Sequence, residues 1–265
     1  MNIFFRELKV YRKSLLFWSL GMIALVASGM AKFAAYSNTG QSMNAILSQF
    51  PQSIQTIFGL TGFDLSKASG FISVLFMYIA LMATIHAVLL GAGIISKEER
   101  DKTAEFLFVR PINRARVISS KIAAGIINLV VINIVTFISS VYFVNYFTKD
   151  NSTINYVITL MCGLFFLQLM FFFIGTAVAA INNKSRTSAS IATSVLLFSF
   201  ILTFLININN DLKNLKYLTP FKYFDAKDLL ATGKLDVIYV SISLVVVFVM
   251  IFMTYMSFAN KDLND

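Results

Sequence analysis

Two adjacent carboxylates, Glu98 and Glu99, and a lone imidazole, His86, are the side chains in this 265-residue chain whose types most often do acid–base work. A Glu-Glu pair between apolar segments would suit hydrolysis inside a membrane, where general acid–base catalysis needs partners within hydrogen-bond reach. Intramembrane glutamate proteases place an Arg four residues after the second Glu and histidines on other helices. Here that position is Thr103 and no second histidine exists, so the pair lacks its partners. Metal chemistry fails on the same count, because zinc takes three or four N, S or carboxylate ligands and the apolar segments offer only His86 and Cys162. His86 reads instead as a hydrogen-bonded helix-packing residue, the alternative being a place on a pathway across the membrane. A phosphate-cradling loop needs G-x-x-x-x-G-K-[ST], whereas Gly233-Lys234 is followed by Leu235 and has no glycine at the required earlier position. Catalytic, metal and cofactor-binding residues are therefore assigned to none of the positions, and any ATP is hydrolysed by another chain.

The elements that would position such residues are set by solvent. Hydrophobic residues make up 57% of the chain, 27 residues are Phe and only 13% are charged, with a mean hydropathy of +0.75; this composition lies outside the soluble range. Six apolar stretches, 15–36, 71–95, 117–147, 154–181, 187–206 and 237–259, are each long enough to cross a hydrocarbon core of about 30 Å as a helix. Helices are the expected form because they satisfy their backbone internally, and unbroken apolar runs lack the alternation of barrel strands. The expectation is an all-α integral membrane protein with a single transmembrane domain over 1–265. Cys162 stands alone, so no intrachain disulfide forms.

Charge orients the six spans. All seven arginines, Arg6, Arg12, Arg100, Arg110, Arg114, Arg116 and Arg186, fall on one side, which the positive-inside rule makes cytoplasmic, along with both termini. Lys213, Lys216, Lys222, Lys227 and Lys234 fall on the other side, offset by Asp211, Asp225, Asp228 and Asp236. The net charge of +9 is divided among short loops and builds no continuous basic face, so nucleic acid is not a partner.

Phe4, Leu8, Tyr11 and Leu15 share one helical face with Arg6, Lys9 and Lys13 opposite, predicting a separate interfacial helix over 1–14. The outer segment 37–70 reads as two short helices around Pro51. The second, 207–236, reads as short helices dipping into the membrane interface, and the short loop at Asn151 makes the third and fourth spans antiparallel neighbours. Asn128, Asn133 and Gln168 read as interhelical hydrogen-bonding residues rather than a substrate path. Ala27, Ala31 and Ala35, and Gly175 with Ala179, allow close helix approach.

The segment 96–116, SKEERDKTAEFLFVRPINRAR, holds ten charged residues in twenty-one positions yet also Phe106, Leu107 and Phe108. A short amphipathic helix over 103–109 is expected to stop at Arg110, since Pro111 disfavours the helical conformation before it. Asn113 would then cap a helix carrying Arg114, Arg116 and Lys121 at its cytoplasmic end. From the residues alone, a docking element and a loop resting on headgroups remain level.

The stretch resembles the intracellular segment of type 2 ABC transporter permeases, whose pattern is matched by Glu98, Thr103, Glu105, Leu107, Pro111 and Arg114, with Lys102 where the family usually has Gly. FPQSIQTIFGL and YLTPFKYFDAKDLL, ahead of the second and sixth spans, resemble the family at matching places. The resemblance implies the transmembrane half of an ATP-driven exporter in the plasma membrane of a bacterium. It implies a coupling segment, Glu98, Thr103, Glu105, Phe106, Leu107, Arg110, Pro111 and Arg114, seated on a cytosolic ATPase dimer that binds the ATP and magnesium. A second permease chain, identical or related, would complete the path through the lipid bilayer. The alternative reading is a membrane anchor or sensor that recruits a cytosolic partner and moves nothing.

Overall fold

The computed structural model describes residues 3–38, 51, 55–56, 63–100, 113–148, 152–182 and 185–259. Six long helices dominate: α1 (Ile3–Asn38), α2 (Ala68–Arg100), α3 (Arg114–Thr148), α4 (Ser152–Ile181), α5 (Ser185–Ile208) and, after a short α6 (Ala226–Thr232), α7 (Val237–Ala259). All six are long and apolar enough to cross a membrane, and no strand occurs among the described residues. The protein is an all-α, multi-pass membrane protein. Its prolines stand at 51, 111 and 220, outside every span, so no span interior loses a backbone donor. Crossing the membrane six times places the start of α1 and the end of α7 at one end, called here the terminus end, together with the α2–α3 connection. Residues 209–236 cap the far end.

α2 and α4 form the centre. They pack most extensively on each other, α1 lies mainly on α3, α5 on α2, and α7 on α4. Glycines set the central spacing: a Cβ on Gly175 would stand 2.5 Å from the Val88 carbonyl oxygen, and one on Gly91 would collide with the Phe172 carbonyl. Close backbone approach of this kind drives helix association where lipid removes the hydrophobic incentive. The Gly175 and Ala179 expectation thus holds, with Ala179 buried against the same core; Ala31 and Ala35 instead lie exposed. Span α7 is the least buried of the six.

Two expectations need correction. α1 runs 36 residues without a break, about 54 Å at 1.5 Å per residue, so no separate interfacial helix precedes the first span. Its face of Phe4, Leu8 and Tyr11 packs on the protein core with Ile94, Ile118 and Phe258, not on a lipid surface. The far-end segment forms short helices as expected, but their apolar side chains pack on the core. Two 3-10 helices (Asn210–Leu218 and Pro220–Lys222) precede α6, and Phe221, Tyr223, Phe224 and Leu229 join the main core. Phe224 stacks on Phe166 at 5.7 Å and Phe221 meets Phe171 at 5.3 Å, so the aromatic residues anchor the cap to α4. Asp225 caps α6 by accepting from the Lys227 amide, and Gly233 ends it at φ 66, the left-handed cap that glycine adopts without penalty. The expected helices of 37–70 fall largely outside the described residues.

Candidate coupling site

Residues 101–112 lie outside the described structure, and with them Thr103, Glu105, Phe106, Leu107, Arg110 and Pro111. Glu98 is in the last turn of α2, its side chain outside the described residues, and partly buried Arg114 opens α3. The described structure therefore supplies the frame of the segment. Asn113 caps α3 as its spacing predicts, its Oδ1 accepting from the Ala115 amide at 2.9 Å.

The frame is tied by buried charge. Glu7, with a wholly buried side chain, accepts from Arg6 at 3.1 Å and from Lys97 at 3.3 Å, the latter side chain only 12% exposed. Glu7 is three residues after Phe4 and four before Tyr11, so the packing that buries this apolar face carries the carboxylate inward. One turn before the described end of α2, Lys97 meets it. An ionised carboxylate cannot leave water without such partners. Across the α2–α3 contact, the buried Lys121 ammonium donates to the Ile94 carbonyl at 2.6 Å. Ser119 and Tyr255 share a 2.7 Å hydrogen bond that joins α3 to α7. The two helix ends that emit and receive residues 101–113 are thus fixed to each other and to α1.

Glu7 has no place among the sequence-based expectations, and Lys121 is expected only as a cation at the cytoplasmic end of its helix. Both carried a readable signal, since Glu7 stands on the Phe4–Tyr11 face and Lys121 lies one turn beyond Val117, with Ile118 and Ile122 beside it. A charge at an apolar position of a helix face asks for a buried partner.

Polar groups within the spans divide by partner. Asn133 donates to the Met161 carbonyl at 3.1 Å and to Gln168 at 3.2 Å, joining antiparallel neighbours α3 and α4. Asn128 instead donates to Ala124 of its own helix at 2.8 Å, so its bond is not interhelical. His86 is buried and packs its ring 5.3 Å from Trp18, joining α2 to α1. Its Nδ1 has no hydrogen-bond partner among the described residues, so a tilted ring contact, at 58° to Trp18, stands in place of the expected bond.

A family model described as ABC-2 family transporter protein matches residues 1–263. No curated protein matches the chain. With a match that spans all six helices and the segment between α2 and α3, the chain belongs to the ABC-2 family of transporter proteins, as a membrane permease component and not the ATPase itself.

Proposed function

We propose that the chain is the permease of an ATP-driven exporter in the cell membrane, paired with a second permease chain and coupled to cytosolic ATPase subunits through residues 98–114. In this reading both termini face the cytosol, and ATP and magnesium are bound by the partner. Permeases of the ABC-2 family work with ABC ATPases in general, which favours transport over the anchor or sensor alternative. The observation that carries the coupling assignment is the Glu7 lock. A segment pushed by a closing ATPase transmits movement only if its ends are stiffly joined to the spans, and Glu7–Lys97 with Lys121–Ile94 joins them to α1, α2 and α3. Rigid-body movement of packed helices carries displacement between distant sites.

The test replaces Phe106 and Leu107 by Ser together, with Lys149→Ser as control. Each apolar side chain contributes about 1.5 to 3 kcal/mol when fully buried, so the double variant is expected to insert normally while losing copurified ATPase and ATP-driven transport. Unchanged ATPase ratio and transport would sink the assignment. Orientation is checked separately after Cys162 is removed: cysteines at Asn2 and Asp101 should resist an impermeant reagent added outside intact cells.

A further inference from the structure

At the far end, α2, α4 and α5 and the cap enclose a cavity of about 760 Å³, within the size range of small-molecule sites. Its walls divide by chemistry. Phe76 and Met77 of α2 and Phe200 and Phe204 of α5 supply an apolar, largely aromatic surface. Two wall hydroxyls are already engaged with protein: Ser73 bonds Tyr156 at 2.7 Å, whose hydroxyl donates to the Ala226 carbonyl at 2.9 Å, and Thr203 bonds Thr219 at 2.8 Å. The four apolar side chains themselves place no polar demand on an occupant.

The rim is different. Lys213, Lys216, Lys222 and Lys227 stand there against Asp225 and Asp228. Lys222 is neutralised by Asp225 at 2.6 Å, whereas Lys213 and Lys227 make no ion pair among the described residues. The Lys216 ammonium sits 5.1 Å from the Tyr217 ring centre, and hydrogen bonding to Tyr239 holds its pKa above the usual value. Burial, then the charge of Asp225, raises the pKa of the Asp228 carboxyl from its ordinary value, and four lysines stand against two carboxylates. The rim therefore carries surplus positive charge directly beside an apolar wall.

We propose that this cavity binds an amphiphile with an anionic head group, the charge met by Lys213, Lys216 and Lys227 and the apolar chain laid on Phe76, Met77, Phe200 and Phe204. Lysines serve an anionic head as point charges, and burial of the chain against aromatic surface supplies the affinity. The site lies within one chain and goes beyond the transport reading, which requires no ligand here.

The test is native mass spectrometry of the full-length chain released from phosphatidylcholine nanodiscs doped with phosphatidylglycerol. Parallel samples receive dodecyl phosphate, a soluble single-chain amphiphile, or inorganic phosphate alone. One phosphatidylglycerol or dodecyl phosphate per chain should be retained in preference to phosphatidylcholine, and inorganic phosphate should not. Whichever of the two binds at lower concentration tells whether the occupant comes from the bilayer or from solution. Lys213→Glu with Lys227→Glu, at two exposed positions, should weaken retention about tenfold with an unchanged elution profile. Met77→Trp should weaken it independently by filling the apolar wall. Equal retention of phosphatidylcholine, full retention by both variants, or equal binding of inorganic phosphate would each overturn the proposal.

Discussion

The two ends of the helix bundle satisfy their polar groups in opposite ways. At the terminus end Glu7, Arg6 and Lys97 form an ion cluster around one wholly buried carboxylate. At the far end, beside the Lys222–Asp225 pair, the junction of α5 with the cap is neutral: Thr219 bonds the Ser199 carbonyl at 2.8 Å, the Ser199 hydroxyl at 3.0 Å and Thr203 at 2.8 Å. The difference is one of redundancy. Thr203 also bonds the Ser199 carbonyl directly at 3.0 Å, so the hydroxyl network survives loss of a member. A buried carboxylate deprived of its cations must take up a proton or stay an uncompensated charge, and breaking one partner of a buried ion pair costs more than the pair itself contributes.

The largest expected effect breaks the charged end. Glu7→Lys places a cation between Arg6 and Lys97, and a loss of about 3–5 kcal/mol is expected, lowering the thermal midpoint of the purified chain by roughly 10 °C. Adding Lys97→Glu should recover part of the loss; an unaltered midpoint in the single variant would erase the contrast between the ends. Thr219→Val probes the neutral junction and should cost only about 1 kcal/mol, because Thr203 keeps its second acceptor. A loss as large as that at Glu7 would show that the network lacks redundancy. Asn113→Ala removes the α3 cap at an exposed position, for about 1 kcal/mol. Its signature is local, faster amide exchange at Ala115 and its neighbours with little change in midpoint. The smallest change belongs to neither end: Asn133→Leu, between α3 and α4, should cost about 0.6 kcal/mol, measured in a double-mutant cycle with Gln168→Leu.

The spans were legible because their length is imposed by the solvent. A helix must keep about twenty apolar residues in the hydrocarbon, and such runs are visible without knowing any neighbour; the expected 237–259 coincides with α7 (Val237–Ala259). The Asn113 cap was equally legible, since its bond reaches only two residues along the chain. The expected coupling residues rest on resemblance to a family pattern, and for Thr103 to Pro111 the described structure adds their frame alone.

Tertiary structure decided what each polar or amphipathic face meets. An apolar stripe such as Phe4, Leu8 and Tyr11 reads alike whether it lies on lipid or protein, and only the arrival of α2 and α3 beside it settles the matter in favour of protein. The cap likewise reads as interfacial until Phe221 and Phe224 find Phe171 and Phe166. Glu7 and Lys97, ninety positions apart, could not be paired from spacing, because local sequence determines which side of a helix a charge occupies but not which helix comes to cover that side. The sequence by itself determined the number and order of the spans, through the cost of unsatisfied backbone in hydrocarbon. The buried charge lock and the lysine-rimmed cavity exist only once distant helices pack, since their partners are brought together by helix contact and not by chain proximity.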